Sequence, residues 1–182
     1  MKTFDEVMAF TRTVSSNAAY EDAECCALWD ALRHLEPHST VVEIGVECGR
    51  STSVIAQVAM EQCFNLHLVD PFLTYGGRPL QEFLDWMRPL GCPFTLHVMK
   101  TEDAASRLPE WFHFLHIDGD HSTEGVTTDC ERLLPTLLPG GILAVHDYGR
   151  DSLPTVKPVI DKYVRGWEML KHVGSLGVWR KP

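Results

Sequence analysis

The stretch Thr40-Val41-Val42-Glu43-Ile44-Gly45-Val46-Glu47-Cys48-Gly49-Arg50-Ser51-Thr52 decides how this chain is read. A β-branched run of five residues ends at a glycine, which reads as a buried strand. Helical spacing resumes over Ser51–Met60. Gly45 and Gly49 let the connection turn tightly and bring backbone close to a ligand. Taken alone, the two glycines read equally well as a plain βα turn. Glu47 stands where a dinucleotide-binding turn carries its middle glycine. A carboxylate there repels a pyrophosphate, which weighs against a nicotinamide-dependent oxidoreductase.

The same alternation continues outward. Upstream, residues 1–36 read as two helical segments. Ala27, Leu28, Ala31, Leu32 and Leu35 share one face of the second, and Pro37 stops it. Downstream, strands are expected at Leu66–Asp70, Phe94–Met99, Trp111–Ile117 and Ile142–Val145. Helices are expected at Leu80–Leu90, 102–108, Glu124–Leu134 and Val156–Val164. Tyr75-Gly76-Gly77 makes a loop, and Leu137–Gly141 a turn. Trp167–His172 and Leu176–Arg180 read as two closing strands around Gly174-Ser175. Strands alternating with helices predict an α/β fold with an open parallel sheet and helices on both faces. The closing pair must be antiparallel, because a parallel crossover needs about a dozen residues or more. Residues 37–182 form the core in this reading, with 1–36 as lid or packing helices.

Ligands of such sheets bind outside the carboxyl ends of the strands. Here those ends carry Glu43–Gly49, Asp70, Thr101–Asp103, Asp118–His121 and His146–Tyr148. Asp70 lies 27 residues after Glu43, where a carboxylate can accept from both ribose hydroxyls. Asp118 and Asp147 end strands that are neighbours in many such sheets. Two converging carboxylates need a cation, a shared proton or solvent. Oxygen ligands with one imidazole suit Mg²⁺ or Mn²⁺ better than zinc. His113 and His116 alternate along a strand and read as structural, and Asp120 as a cap of the next helix.

Composition narrows the partners. The 182 residues carry 16 Lys and Arg against 25 Asp and Glu, a net charge of −9. Without a basic run, neither nucleic acid nor an anionic membrane is expected as a partner, and a small molecule is. No apolar stretch is long enough for a membrane span, and Asp5 and Glu6 interrupt any signal-like start. The six cysteines (Cys25, Cys26, Cys48, Cys63, Cys92 and Cys130) contain no CxxC pair, and are expected as free thiols in a reducing cytoplasm.

Four phrases carry a resemblance: VVEIGVECGRST (Val41–Thr52), HLVDPF (His67–Phe72), FLHIDGDHSTEGVTTDCERLLPTLLPGGILAVHDYG (Phe114–Gly149) and SLGVWRK (Ser175–Lys181). With them the chain resembles the class I S-adenosylmethionine-dependent methyltransferases, and within these the small group around macrocin-type and related sugar O-methyltransferases. The resemblance implies a Rossmann-like, seven-stranded, mostly parallel sheet with an antiparallel C-terminal pair. It implies that Glu43, Gly45, Gly49 and Ser51 wrap the methionine and ribose of S-adenosylmethionine. Asp70 would hold the ribose, Thr101 and Glu102 would lie near the adenine, and Asp118 would face the cofactor and the reacting atoms. In metal-dependent relatives an Asp after the fourth strand and an acidic pair after the fifth hold Mg²⁺. Asp118 and Asp147 match, and His146 occupies the first position of the pair. The Asp-x-x-His spacing of Asp118 and His121 matches the sugar enzymes, and the resemblance implies that His121 is the base for a hydroxyl of a small acceptor, such as a sugar, natural product or phenol. Residues 72–90 and 149–155 would enclose that acceptor, with Tyr75, Trp86 and Tyr148 available to stack on a ring. The short chain leaves specificity to these loops, to residues 1–36 or to a neighbouring subunit of a homo-oligomer. A module that binds S-adenosylmethionine without transferring from it is the non-catalytic alternative.

Overall fold

A computed structural model describes residues 2–14, 20–47, 49–73 and 80–182. Cys48 and the Tyr75-Gly76-Gly77 loop lie outside the described residues. The elements run α1 (Phe4–Val14), α2 (Asp22–Leu32), β1 (Thr40–Ile44), α3 (Arg50–Gln62), β2 (Asn65–Val69), α4 (Leu80–Met87), β3 (Thr95–His97) and α5 (Thr101–Ala104). They continue with β4 (Phe112–Ile117), α6 (Thr123–Leu133), β5 (Leu137–Val145), α7 (Val156–Tyr163), β6 (Glu168–Val173) and β7 (Leu176–Arg180).

The sheet has seven strands in the order β3-β2-β1-β4-β5-β7-β6. The first five are parallel, and β7 lies antiparallel between β5 and β6. The chain reverses its direction of travel across the sheet between β1 and β4, the switch point at which such folds take ligands. Apolar side chains divide between the two faces. Val41, Leu66, Leu68 and Phe114 pack with Val7, Met8, Leu28, Leu32, Val54 and Ile55 from α1, α2 and α3. Val42, Ile44, Leu115 and Val145 pack with Val126, Leu133, Val159 and Ile160 from α6 and α7. The N-terminal helices therefore share the core. Gln57 of α3 also donates to the Val7 carbonyl at 3.1 Å.

Three local differences from the expected elements have physical causes. The helix beginning at Leu80 ends at Met87, because Pro89 turns Arg88–Leu90 into a 3₁₀ turn. β3 shrinks to three residues at the sheet edge, where it pairs with β2 alone. β5 starts at Leu137, five residues early. Phe112 pairs with Leu137 and Phe114 with Ile142, so the exposed Pro139-Gly140 is absorbed as a bulge rather than ending the strand.

Candidate active site

Backbone pairing continues one step beyond the strands. Gly45 N–H donates to Val69 O at 2.9 Å, Asp118 N–H to Ile44 O at 2.8 Å, Asp70 N–H to His97 O at 3.2 Å and His146 N–H to Ile117 O at 3.0 Å. Parallel strands thus deliver Gly45, Asp70, Asp118 and His146 to one row. Gly45 has φ +82°, and a Cβ there would lie 1.9 Å from the Asp118 carbonyl oxygen. Only glycine lets the β1 and β4 ends approach this closely.

Asp70, at the end of β2, organises the turn after β1. Its Oδ2 accepts from Val46 N–H at 2.8 Å and Glu47 N–H at 2.9 Å, and its Oδ1 from Phe72 N–H at 2.6 Å. A carboxylate offers about four acceptor positions, so one remains for a ribose hydroxyl. Glu43 is fully buried. Its Oε1 accepts from Ser51 Oγ at 2.6 Å and faces His116 Nδ1 at 3.1 Å, and its Oε2 is a buried oxygen with no hydrogen-bond partner. An orphaned acceptor beneath a glycine turn fits a ligand that brings its own donors. Gly49, with φ +76°, caps α3.

Thr101 is buried and bonds to Asp129, whereas Glu102 is exposed at the start of α5. Of the two residues placed near the adenine, Glu102 alone faces outward. Asp129 itself is 3% exposed. Burial pushes its carboxyl up to about 7, and its Oδ2 has no partner.

At the ends of β4 and β5, Asp118, His121 and Asp147 each offer a ligand atom within 4.8 Å of the others. His121 Nε2 lies 2.9 Å from Asp147 Oδ2 and 3.5 Å from Asp118 Oδ1. The bonds to Asp118 and then Asp147 outweigh burial and raise His121 to about 9. Burial alone would raise Asp118, but bonds from His121 and His146 hold it down at about 2. Asp147 is also lowered: bonds from His121 and Arg150 overcome burial, with Arg150 Nη1 at 2.8 Å from its Oδ1. Asp147 sits at φ +57°, a left-handed backbone conformation uncommon for a residue other than glycine.

His146 departs from its expected place among the metal ligands. Its Nδ1 lies 3.1 Å from Asp118 Oδ1 and its Nε2 3.3 Å from Glu24 Oε2. Carboxylates only accept, so both ring nitrogens donate and the ring is an imidazolium. Burial opposes that charge, yet the bonds to Asp118 and Glu24 win and raise His146 to about 10. With both nitrogens committed, His146 braces Asp118, and His121 completes the set of potential ligands. That set, two carboxylate oxygens and one imidazole nitrogen, fits Mg²⁺ or Mn²⁺ chemically.

A cavity of about 360 Å³ opens over this edge, lined by Val46, Ser51, Asp118, His121, Arg150 and Leu153 among others. Residues 149–155 do contribute to its wall; among the described residues, 80–90 do not. Tyr148 is 4% exposed, edge-on to Trp179, with its hydroxyl donating to Asp161. It is packed and cannot stack on a substrate. His113 is structural as expected, since its Nδ1 accepts from Thr40 N–H at 3.0 Å. Asp120 accepts from Ser122, and Ser122 is the residue that caps α6. The sequence reading missed Tyr20, Glu24, Asp129 and Arg150. Asp129 left a readable trace, a carboxylate within the apolar stripe of Val126, Cys130 and Leu133. Glu24 left a weaker one, the Glu21-x-x-Glu24 capping box.

Residues 42–148 match a family model described as a methyltransferase domain. No curated protein matches the chain. Among solved structures, the O-methyltransferase NovP is 17% identical, with 97% of this chain and 88% of that one covered at a TM-score of 0.74. CalS11, a TDP-rhamnose 3'-O-methyltransferase of calicheamicin biosynthesis, is 16% identical, covering 97% and 93% at 0.66. The methyltransferase PaMTH1 of Podospora anserina, solved with S-adenosylhomocysteine, is 15% identical, covering 98% and 86% at 0.70.

Proposed function

We propose that this chain, which belongs to the methyltransferase domain family and takes its methyl group from S-adenosylmethionine, transfers that group to a hydroxyl of a small molecule. The family sets aside the oxidoreductase reading. The observation that carries the proposal is the convergence of Asp118, His121 and Asp147 beside the cofactor turn. Methyl transfer from a sulfonium is an in-line displacement, so the protein must align donor and acceptor and take up one proton. Asp70 and the Gly45–Gly49 turn hold the nucleoside end, with Glu43 and Ser51 beneath. Asp147 and Asp118 hold Nε2 of His121 and so orient the ring, which takes the proton of the attacking hydroxyl at its other nitrogen. A hydroxylated acceptor, sugar-like as in CalS11, is supported by the likeness to that enzyme.

A second reading has its own observation, the compact oxygen-oxygen-nitrogen donor set. Asp118, Asp147 and His121 would hold Mg²⁺ or Mn²⁺, which when bound would supply Lewis-acid activation of a hydroxyl. His121 cannot be ligand and base at once, and chelation separates the two, since either role needs the neutral imidazole. As the base, His121 must lose a proton it binds up to about pH 9. The rate then rises with pH through that region and is insensitive to EDTA. Under the metal reading, EDTA abolishes transfer. The direct test is calorimetry with S-adenosylhomocysteine, followed by product release over a panel of sugar nucleotides, polyols, phenols, thiols and amines. Transfer confined to thiols or amines would overturn the hydroxyl assignment.

A further inference from the structure

We propose that Glu24, on the N-terminal helix α2, is a positioning residue of the transfer centre, acting through His146 on Asp118 and through Asp118 on His121. Glu24 is 2% exposed, yet every acceptor position it has is used. Its Oε1 accepts from Ser175 N–H at 2.7 Å and Ser175 Oγ at 2.9 Å. Its Oε2 accepts from Glu21 N–H at 2.7 Å and faces His146 Nε2 at 3.3 Å.

The surroundings are shaped for this carboxylate. Gly174, in the β6–β7 turn, has φ +57°, and a Cβ there would lie 2.6 Å from Glu24 Oε1. The turn can close over the carboxylate only because it has no side chain at that point. Tyr20, just before α2, covers the flat face of His146 with ring centroids 4.3 Å apart and planes 21° from parallel. Glu24 thus fixes one edge of the imidazole and Tyr20 one face. The remaining nitrogen meets Asp118 Oδ1, the same oxygen that faces His121.

Burying a charged pair to join α2 to the sheet stabilises less than apolar packing of the same volume. Leu28 and Leu32 already provide such packing on the same helix. What the carboxylate adds is direction. It selects one orientation of His146 and so one position for the Asp118 oxygen. Gln at position 24 keeps the shape but replaces half the acceptor positions with donors. It cannot accept from Ser175 and Glu21 while also facing His146.

The proposal rests on Asp118 and His121 being the transfer residues. Its test reads the geometry of His121 rather than turnover. In the full-length chain labelled with ¹³C and ¹⁵N, the imidazole signals of His121 and His146 are compared between wild type and Glu24→Gln. Both signals should shift, while S-adenosylhomocysteine affinity stays at its wild-type value. Glu24→Asp, which keeps the carboxylate, should return His121 part of the way. A folded Glu24→Gln protein whose His121 signal is unmoved, even if its melting temperature falls, overturns the proposal and leaves Glu24 a structural residue. If Glu24→Gln does not fold, Tyr20→Phe and Tyr20→Leu decide: both keep every carboxylate and remove the hydroxyl that faces His116 Nε2 at 3.4 Å, and only Tyr20→Leu also removes the ring against His146, so the two are compared. A His121 signal shifted in Tyr20→Leu beyond its place in Tyr20→Phe supports the linkage, and one that is the same in both overturns it. A His121→Ala protein that methylates at the wild-type rate would instead defeat the base assignment, leaving the linkage measured by resonance intact.

Discussion

Gly45 and Asp129 show how much single positions carry at this sheet edge. A methyl group at Gly45 would strike the Asp118 backbone, which no rotamer change relieves. Gly45→Ala should cost about 3 kcal/mol in chemical denaturation and abolish detectable cofactor binding. Unchanged stability would mean that β1 and β4 do not approach as described. Asp129 gives a pH signature of definite sign. Its carboxyl is raised to about 7 in the folded chain, so folding favours its protonated form. Its contribution is complete below the ordinary carboxylate value near 4, and is lost as pH rises through about 7. Asn stays neutral throughout. Asp129→Asn should therefore gain stability over wild type as pH rises, by about 1–3 kcal/mol at pH 8. Denaturation at pH 5 and pH 8 measures the difference, and equal values at both would refute the buried neutral carboxyl.

The turn after β1 is held as one element by Asp70. Three backbone N–H groups converge on its carboxylate, so its loss frees the loop that holds the nucleoside in the proposed function. Asp70→Ala should weaken S-adenosylhomocysteine binding by about tenfold or more, as read by calorimetry. Asp70→Asn keeps the shape but turns one acceptor oxygen into a donor that faces N–H groups, and should recover little. Strand β1, strand β7 and both N-terminal helices were legible locally, because β-branched runs and apolar spacing do not depend on distant partners. The start of β5 was not. Pro139-Gly140-Gly141 carries a turn signal, and pairing with β4 and with Lys181 overrides it.

For the whole molecule, the decisive feature is that both faces of the sheet are needed. Val7, Met8, Leu28 and Leu32 are at most 1% exposed, and they cover the face formed by Val41, Leu66 and Phe114. A chain beginning at residue 37 should therefore fail to show a cooperative thermal transition by circular dichroism. A sharp transition in that chain would make α1 and α2 a detachable lid. Among the described residues, no helix is long and apolar enough to cross a membrane. The acidity of the chain also has a local meaning at the site. Asp118, Asp147 and Glu24 are each paired there with His121, His146 or Arg150.

The order of strands and helices, the antiparallel close and the clustering of Asp70, Asp118, His121 and Asp147 at one edge followed from the sequence by itself. Period, turn residues and strand ends are local properties, and a parallel sheet places all its strand ends on one side. The partnership of each side chain was decided only by the tertiary structure. His146 stands beside Asp147 in the chain, where it suggests a metal ligand. In the fold both its nitrogens are claimed, by Asp118 from β4 and by Glu24 from a helix 122 residues away. Glu24, read locally, is one half of a helix cap. A hydrogen-bond acceptor takes whichever donor the packed chain brings within about 3 Å, and sequence spacing does not encode that distance.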